Sequence, residues 1–211
     1  QAAVQVIVDA GEGGDILSLD GLRLADEIRQ VVEATPETEA ILAPATPGSP
    51  AVVSYALPFE GAAAQAGGLD QLDEPSFEQL ATAVLSNPEA GHQAAGLLSN
   101  DLDVDHASAR AGLVIVPIAE GLSYRTQLEG ELALRDAIAE TDFDGVAVTP
   151  FSEAILADTL IADTEQEMSW LLLLAFALIL IILLATFRRV GDVLLGLGGL
   201  VITIIWTFGI A

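Results

Sequence analysis

Residues 113–149 read LVIVPIAEGLSYRTQLEGELALRDAIAETDFDGVAVT, and they decide the fold class. Leu113-Val114-Ile115-Val116 is a β-branched run closed by Pro117, the signature of a strand. Ser123 then offers a helix cap, and Leu128, Leu132, Leu134 and Ile138 supply its apolar positions. Asp144-Gly145 forms a turn into Val146-Ala147-Val148-Thr149, a second strand. The stretch is a strand-helix-strand unit.

The same plan opens the chain. Val4-Gln5-Val6-Ile7-Val8 is a strand ended by Gly11-Glu12-Gly13-Gly14. Ser18 or Asp20 caps a helix whose apolar positions are Leu22, Leu24, Ile28, Val31 and Val32, and Pro36 stops it. Units of this kind build an α+β sandwich with helices on one sheet face. Between them, residues 35–107 form an irregular insertion with many prolines and a Gly/Ala-rich tract at 61–68. Val52-Val53-Ser54-Tyr55 reads as a short strand or a loop. Helical pieces are expected at 76–86 and 89–99, split by Asn87-Pro88.

Composition divides the chain again. It has 211 residues, a net charge of −24 and a hydrophobic fraction of 52%. The two properties occupy different segments. Acids crowd residues 1–167, whereas 168–211 carry Arg188, Arg189 and Asp192 as their only charges. Met168 to Phe187 is uncharged, and at about 1.5 Å per residue it would cover roughly 30 Å, a bilayer's hydrocarbon thickness. Val193 to Ala211 is a second uncharged run, with Gly196, Gly198 and Gly199 able to admit a close neighbour. Two transmembrane α-helices are therefore expected after the α+β domain. The connector, 188–192, holds Arg188 and Arg189, so the positive-inside rule puts it in the cytoplasm and the acidic domain outside. Asp192 is expected in the first turn of the second helix, where the dipole favours an anion. Residues 157–187 read as a linking helix that enters the first span unbroken. The ends suggest a piece of a larger chain.

Several functions are excluded or disfavoured. So negative a chain repels phosphate backbones, so no nucleic-acid partner is expected. Without Cys there is no thiolate metal site or cysteine nucleophile, and without Lys no phosphate-binding Gly-Lys motif. Asp101-Leu102-Asp103-Val104-Asp105-His106 begins like a calcium loop, but His106 stands where Gly is needed and Gly112 where a bidentate Glu is needed. It reads as a solvated acidic loop. His92 and His106 are too isolated for a metal set. No catalytic, metal or cofactor residue is assigned, and no enzyme activity is expected. Carboxylates in place of Lys suggest a halophilic, archaeal source.

Residues 145–192, GVAVTPFSEAILADTLIADTEQEMSWLLLLAFALILIILLATFRRVGD, resemble the approach to, and the body of, the second transmembrane helix in the resistance-nodulation-division (RND) exporter superfamily. The hydrophobe-exporter and mycobacterial-lipid-exporter-like (MMPL-like) branch is the nearest in pattern. Val148-Thr149, Asp163, Phe187-Arg188-Arg189 and Gly209 stand at the family's recurring places, with Pro150 where the family has Gly. The resemblance implies that the strand-helix units are ferredoxin-like porter subdomains, with residues 1–156 as the extracytoplasmic domain. It implies gradient-driven export of lipids or other hydrophobic compounds. Its expected partners are membrane lipids, a hydrophobic or lipid substrate, the remainder of the transporter chain and, as an option, further copies of itself. It makes Asp163, Arg188, Arg189 and Asp192 candidates for coupling and topology. The family's proton-relay carboxylates belong to a later helix, so none is transferred. A membrane-tethered sensor or lipid-binding domain, and a protein-export accessory subunit, are the alternatives.

Overall fold

The computed structural model describes residues 2–46, 50–65, 67–187, 198, 199, 202 and 206; the side chains of 70, 161–169 and 183–187 lie outside the description. The chain divides into two units, Gln1–Ala157 and Asp158–Ala211.

The first unit is α+β. Strand β1 (Ala3–Asp9) leads into helix α1 (Leu19–Ala34) and the single turn α2 (Pro36–Glu39). Strand β2 (Val53–Ser54) follows, then α3 (Leu57–Gln65), a 3-10 turn at 69–71, α4 (Glu74–Ser86) and α5 (Pro88–Ala95). Strand β3 (Ala111–Pro117), helix α6 (Tyr124–Glu140) and strand β4 (Ala147–Phe151) complete the sheet. Its order is β2-β3-β1-β4, and each neighbouring pair is antiparallel. Hence β1 and β2 run parallel with β3 between them, and β3 and β4 run parallel with β1 between them. These are two split β-α-β crossovers sharing one sheet.

Period-two burial explains how the sheet holds its helices. Val4, Val6 and Val8 of β1 and Val114 and Val116 of β3 point to one face and are buried. Leu22, Ile28 and Val32 of α1 and Leu134 and Ile138 of α6 join the same core. Each helix start is capped by its own sequence: the Ser18 hydroxyl accepts from Gly21 N at 3.1 Å, and Ser123 from Thr126 N at 3.1 Å. Between α6 and β4, Asp144 and Gly145 both have positive φ, 52° and 84°, and Val146 N donates to Phe143 O at 3.0 Å. That geometry is a type I′ turn, which favours Asp-Gly. Pro150 is tolerated because β4 is an edge strand.

The insertion is more ordered than its composition suggests. Phe59 and Ala63 of α3 and Phe77 and Ala81 of α4 are fully or almost fully buried in the same core. Segment 97–99 pairs with β3 through Ser99 N to Ala111 O (2.9 Å) and Leu113 N to Leu97 O (2.8 Å). It continues the edge along which β2 pairs.

The expectation of two transmembrane helices is corrected. Among the described residues, no helix is long and apolar enough to cross a membrane. Helix α7 runs from Glu153 to Phe187, 35 residues, and its first turns bear Glu153 and Asp158. Its apolar run has described side chains only from Trp170 to Ile182. Of the second expected span, 193–211, only Gly198, Gly199, Ile202 and Trp206 are described.

Candidate functional site

Helices cover one face of the sheet, and the alternating residues form the other. Strand register places Val53, Ile115, Gln5 and Phe151 in one row across it. Leu113, Ile7 and Thr149 form the next row, and Ala111, Asp9 and Ala147 the third. Ile7 is 44% exposed and Phe151 48%. Asp9 is the single charged residue of these rows, and Arg110 Nε lies 3.3 Å from its carboxylate. A shallow groove of about 220 Å³ opens here, lined by Ile7, Leu97, Leu98 and Leu113 among others. An acidic unit thus carries a nearly uncharged, largely apolar open face. Large exposed side chains placed side by side in this way mark interaction surfaces more often than scattered ones do.

Two polar clefts lie on the helical side. One, of about 470 Å³, sits between the start of α1 and the α6–β4 turn, with Asp15, Asp20, Arg23, Glu27 and Asp144 on its walls. The other, also about 470 Å³, lies between α1 and α3 and is lined by Arg23, Asp26, Glu27, Gln30 and Glu60. Asp26 hydrogen-bonds Arg29, which holds its carboxyl below the usual range. Burial pushes the Glu60 carboxyl upward, and the Asp26 charge adds to this. Nearby Tyr55 is fully buried; its hydroxyl donates to Gly21 O at 2.5 Å, and burial raises its pKa far above the ordinary phenol value.

Glu60 has a pH consequence. Its folded pKa lies above its unfolded value, so its contribution favours folding below the unfolded pKa and is lost as pH rises through the folded pKa. At neutral pH the ionised group is a cost. Glu60→Gln should therefore raise the thermal midpoint at neutral pH, and the gain should shrink as pH falls through the carboxylate range. A gain that persists unchanged in acid would contradict this account.

The acidic loop spends its carboxylates on itself. Asp103 accepts from Asp105 N (2.9 Å), His106 N (3.1 Å) and His106 Nδ1 (2.9 Å), while Asp101 accepts from the Ser99 hydroxyl. The hydrogen bond lowers the Asp103 pKa and raises that of His106. No cluster of three or more His, Asp or Glu suited to a metal occurs among the described residues. Of the coupling and topology candidates, Asp163 falls within α7, and Arg188, Arg189 and Asp192 lie outside the described residues.

Sequence reading missed one group. Glu131, on the buried stripe of α6, is 1% exposed. Its carboxylate accepts from Gln127 Nε2 at 2.7 Å and from the Ser152 hydroxyl. Its position between Gln127 and Leu134 at helical spacing was the available signal. No known protein-family model and no curated protein matches this chain.

Proposed function

We propose that the chain is part of an RND-type transporter that exports lipids or other hydrophobic compounds with the energy of an ion gradient. The open apolar sheet face, in an otherwise strongly acidic unit, carries this reading. Apolar cargo gains about 0.8 kcal/mol for each methylene it buries, and Ile7, Leu113, Ile115 and Phe151 give it a surface without charge to desolvate. The resemblance of residues 145–192 adds support. So does α7, whose side chains from Trp170 to Ile182 are apolar and nearly all exposed; such a surface suits lipid or the rest of a transporter chain better than water. The proposal places the chain at the cell membrane with the acidic unit on the outer side. It does not rest on α7 as a membrane-crossing helix.

A lipid-binding or sensing domain without transport is the alternative. Groove size favours passage over retention: about 220 Å³ is below the roughly 300–1,000 Å³ of pockets that enclose small ligands.

The test uses the full gene product in vesicles with a fluorescent lipid analogue. Export should stop when the ion gradient is collapsed; export that continues unchanged would overturn the mechanism. Ile7→Asp with Phe151→Asp should lower export by about tenfold or more, the loss of roughly 1.4 kcal/mol or more of apolar contact. Both sites are solvent-facing, so the unfolding midpoint should move little. Undiminished export in this variant would remove the sheet face from the pathway.

A further inference from the structure

Glu131 is a buried carboxylate to which the export reading gives no task. Among the described residues no Arg or His forms an ion pair with it. A buried charge without a counter-charge is costly unless hydrogen bonds and dipoles replace the lost water. Two hydrogen bonds are present, from Gln127 and Ser152. Ser152 is itself 6% exposed and performs a second service. Its Oγ accepts from Ile155 N at 3.1 Å, and its carbonyl accepts from Leu156 N at 3.0 Å. Ser152 is thus the N-cap of α7, and its hydroxyl relays the positive end of that helix to the carboxylate.

We propose that Glu131 and Ser152 form a latch that fastens the first turn of α7 to α6, with the α7 N-terminus serving as the counter-charge of Glu131. The series Ile155 N–H to Ser152 Oγ–H to Glu131 Oε2 runs from one helix end to the middle of another. Each bond polarises the next, which strengthens both. Ala154 and Ile155, which follow Ser152 in the chain, are 7% exposed each. Releasing the latch frees the start of α7 while the sandwich, held by the valines of β1 and β3 and the apolar stripes of α1 and α6, stays folded. Glu131 is a positioning residue in this device. The inference stands apart from the export reading, because it concerns one helix start and requires no cargo.

Hydrogen exchange on the full chain, in concentrated salt, tests it. Ser152→Ala removes the cap and the relay at little cost in volume. Exchange at Ile155 and Leu156 should rise about tenfold, as loss of a cap bond implies, while Val4, Val6 and Val114 exchange as before. Glu131→Leu should give a comparable rise at Ile155 and Leu156. Glu131→Gln, which keeps an acceptor oxygen without the charge, should give a smaller one. Unchanged exchange at Ile155 and Leu156 in Ser152→Ala overturns the latch. So does an equal rise at the sheet amides, which would mean general loosening, or an equal effect of Glu131→Gln and Glu131→Leu.

Discussion

In about 0.01 M KCl the protein should melt at least 10 °C below its midpoint in about 1 M KCl, and its far-ultraviolet circular dichroism should weaken at the low-salt end. The cause is self-repulsion. The chain carries 31 Asp and Glu against 7 Arg, and compaction brings those carboxylates together. The Debye length falls from about 30 Å to about 3 Å between these salt concentrations, so repulsion across the unit is nearly full at one and nearly gone at the other. Screening also weakens the favourable pairs, but these contribute little. Arg23–Asp20 and Arg125–Glu129 are solvent-facing i,i+3 and i,i+4 contacts at 3.0 and 2.7 Å, and water already screens most of their attraction. A shift of 10 °C in a chain of this size corresponds to roughly 3–4 kcal/mol. Sucrose controls for preferential exclusion, which stabilises any folded state. Equal midpoints at both salt concentrations, or a sucrose effect as large as that of KCl, would remove the halophilic reading of the missing lysines.

The parts of the fold that were legible in sequence share one property. In β1, α1, β3, α6 and β4 the local period agrees with the final burial. Val4, Val6 and Val8 alternate, and Leu22, Ile28 and Val32 recur at helical spacing, because both patterns face one core. The illegible parts depend on distant partners. Two residues, Val53 and Ser54, are a strand because β3 accepts them at Ile115 and Val114. The 61–65 tract looks like Gly/Ala linker, yet Ala favours helix and Phe59 and Ala63 turn one side of α3 into the core. Glu131 reads as surface charge until Ser152, 21 residues away, comes to meet it. Alternation puts Ile7 opposite its neighbouring valines, but only the register shows that it meets Leu113 and Thr149 in one row. Hydropathy alone read Met168 to Phe187 as membrane-crossing, whereas no helix among the described residues is long and apolar enough to cross a membrane.

Two glycine-to-alanine substitutions should have opposite signs. Gly21 lies in the first turn of α1, and its N–H is the group capped by Ser18. A Cβ there would sit 2.1 Å from the Ile16 carbonyl oxygen and 2.6 Å from the Ile16 carbonyl carbon. Both are backbone atoms, and their loop is fastened: Ile16 N donates to Ala109 O at 2.9 Å, and Asp15 accepts from Leu17 N at 2.9 Å and Ala109 N at 3.0 Å. Yielding would strain those bonds, the cap and the Tyr55 hydroxyl bond to Gly21 O together. Gly21→Ala should therefore destabilise by about 2–4 kcal/mol, an overpacking penalty plus part of a cap. Gly61 lies inside α3, and its Cβ would meet nothing within 4 Å. There Ala restricts the unfolded chain and suits the helix, so Gly61→Ala should stabilise by about 0.5–1 kcal/mol. Urea unfolding of both variants in concentrated salt measures the pair. Helix propensity alone would make both substitutions stabilising, so a stabilised Gly21→Ala would show that the approach of α1 to the Ile16 loop does not constrain the fold.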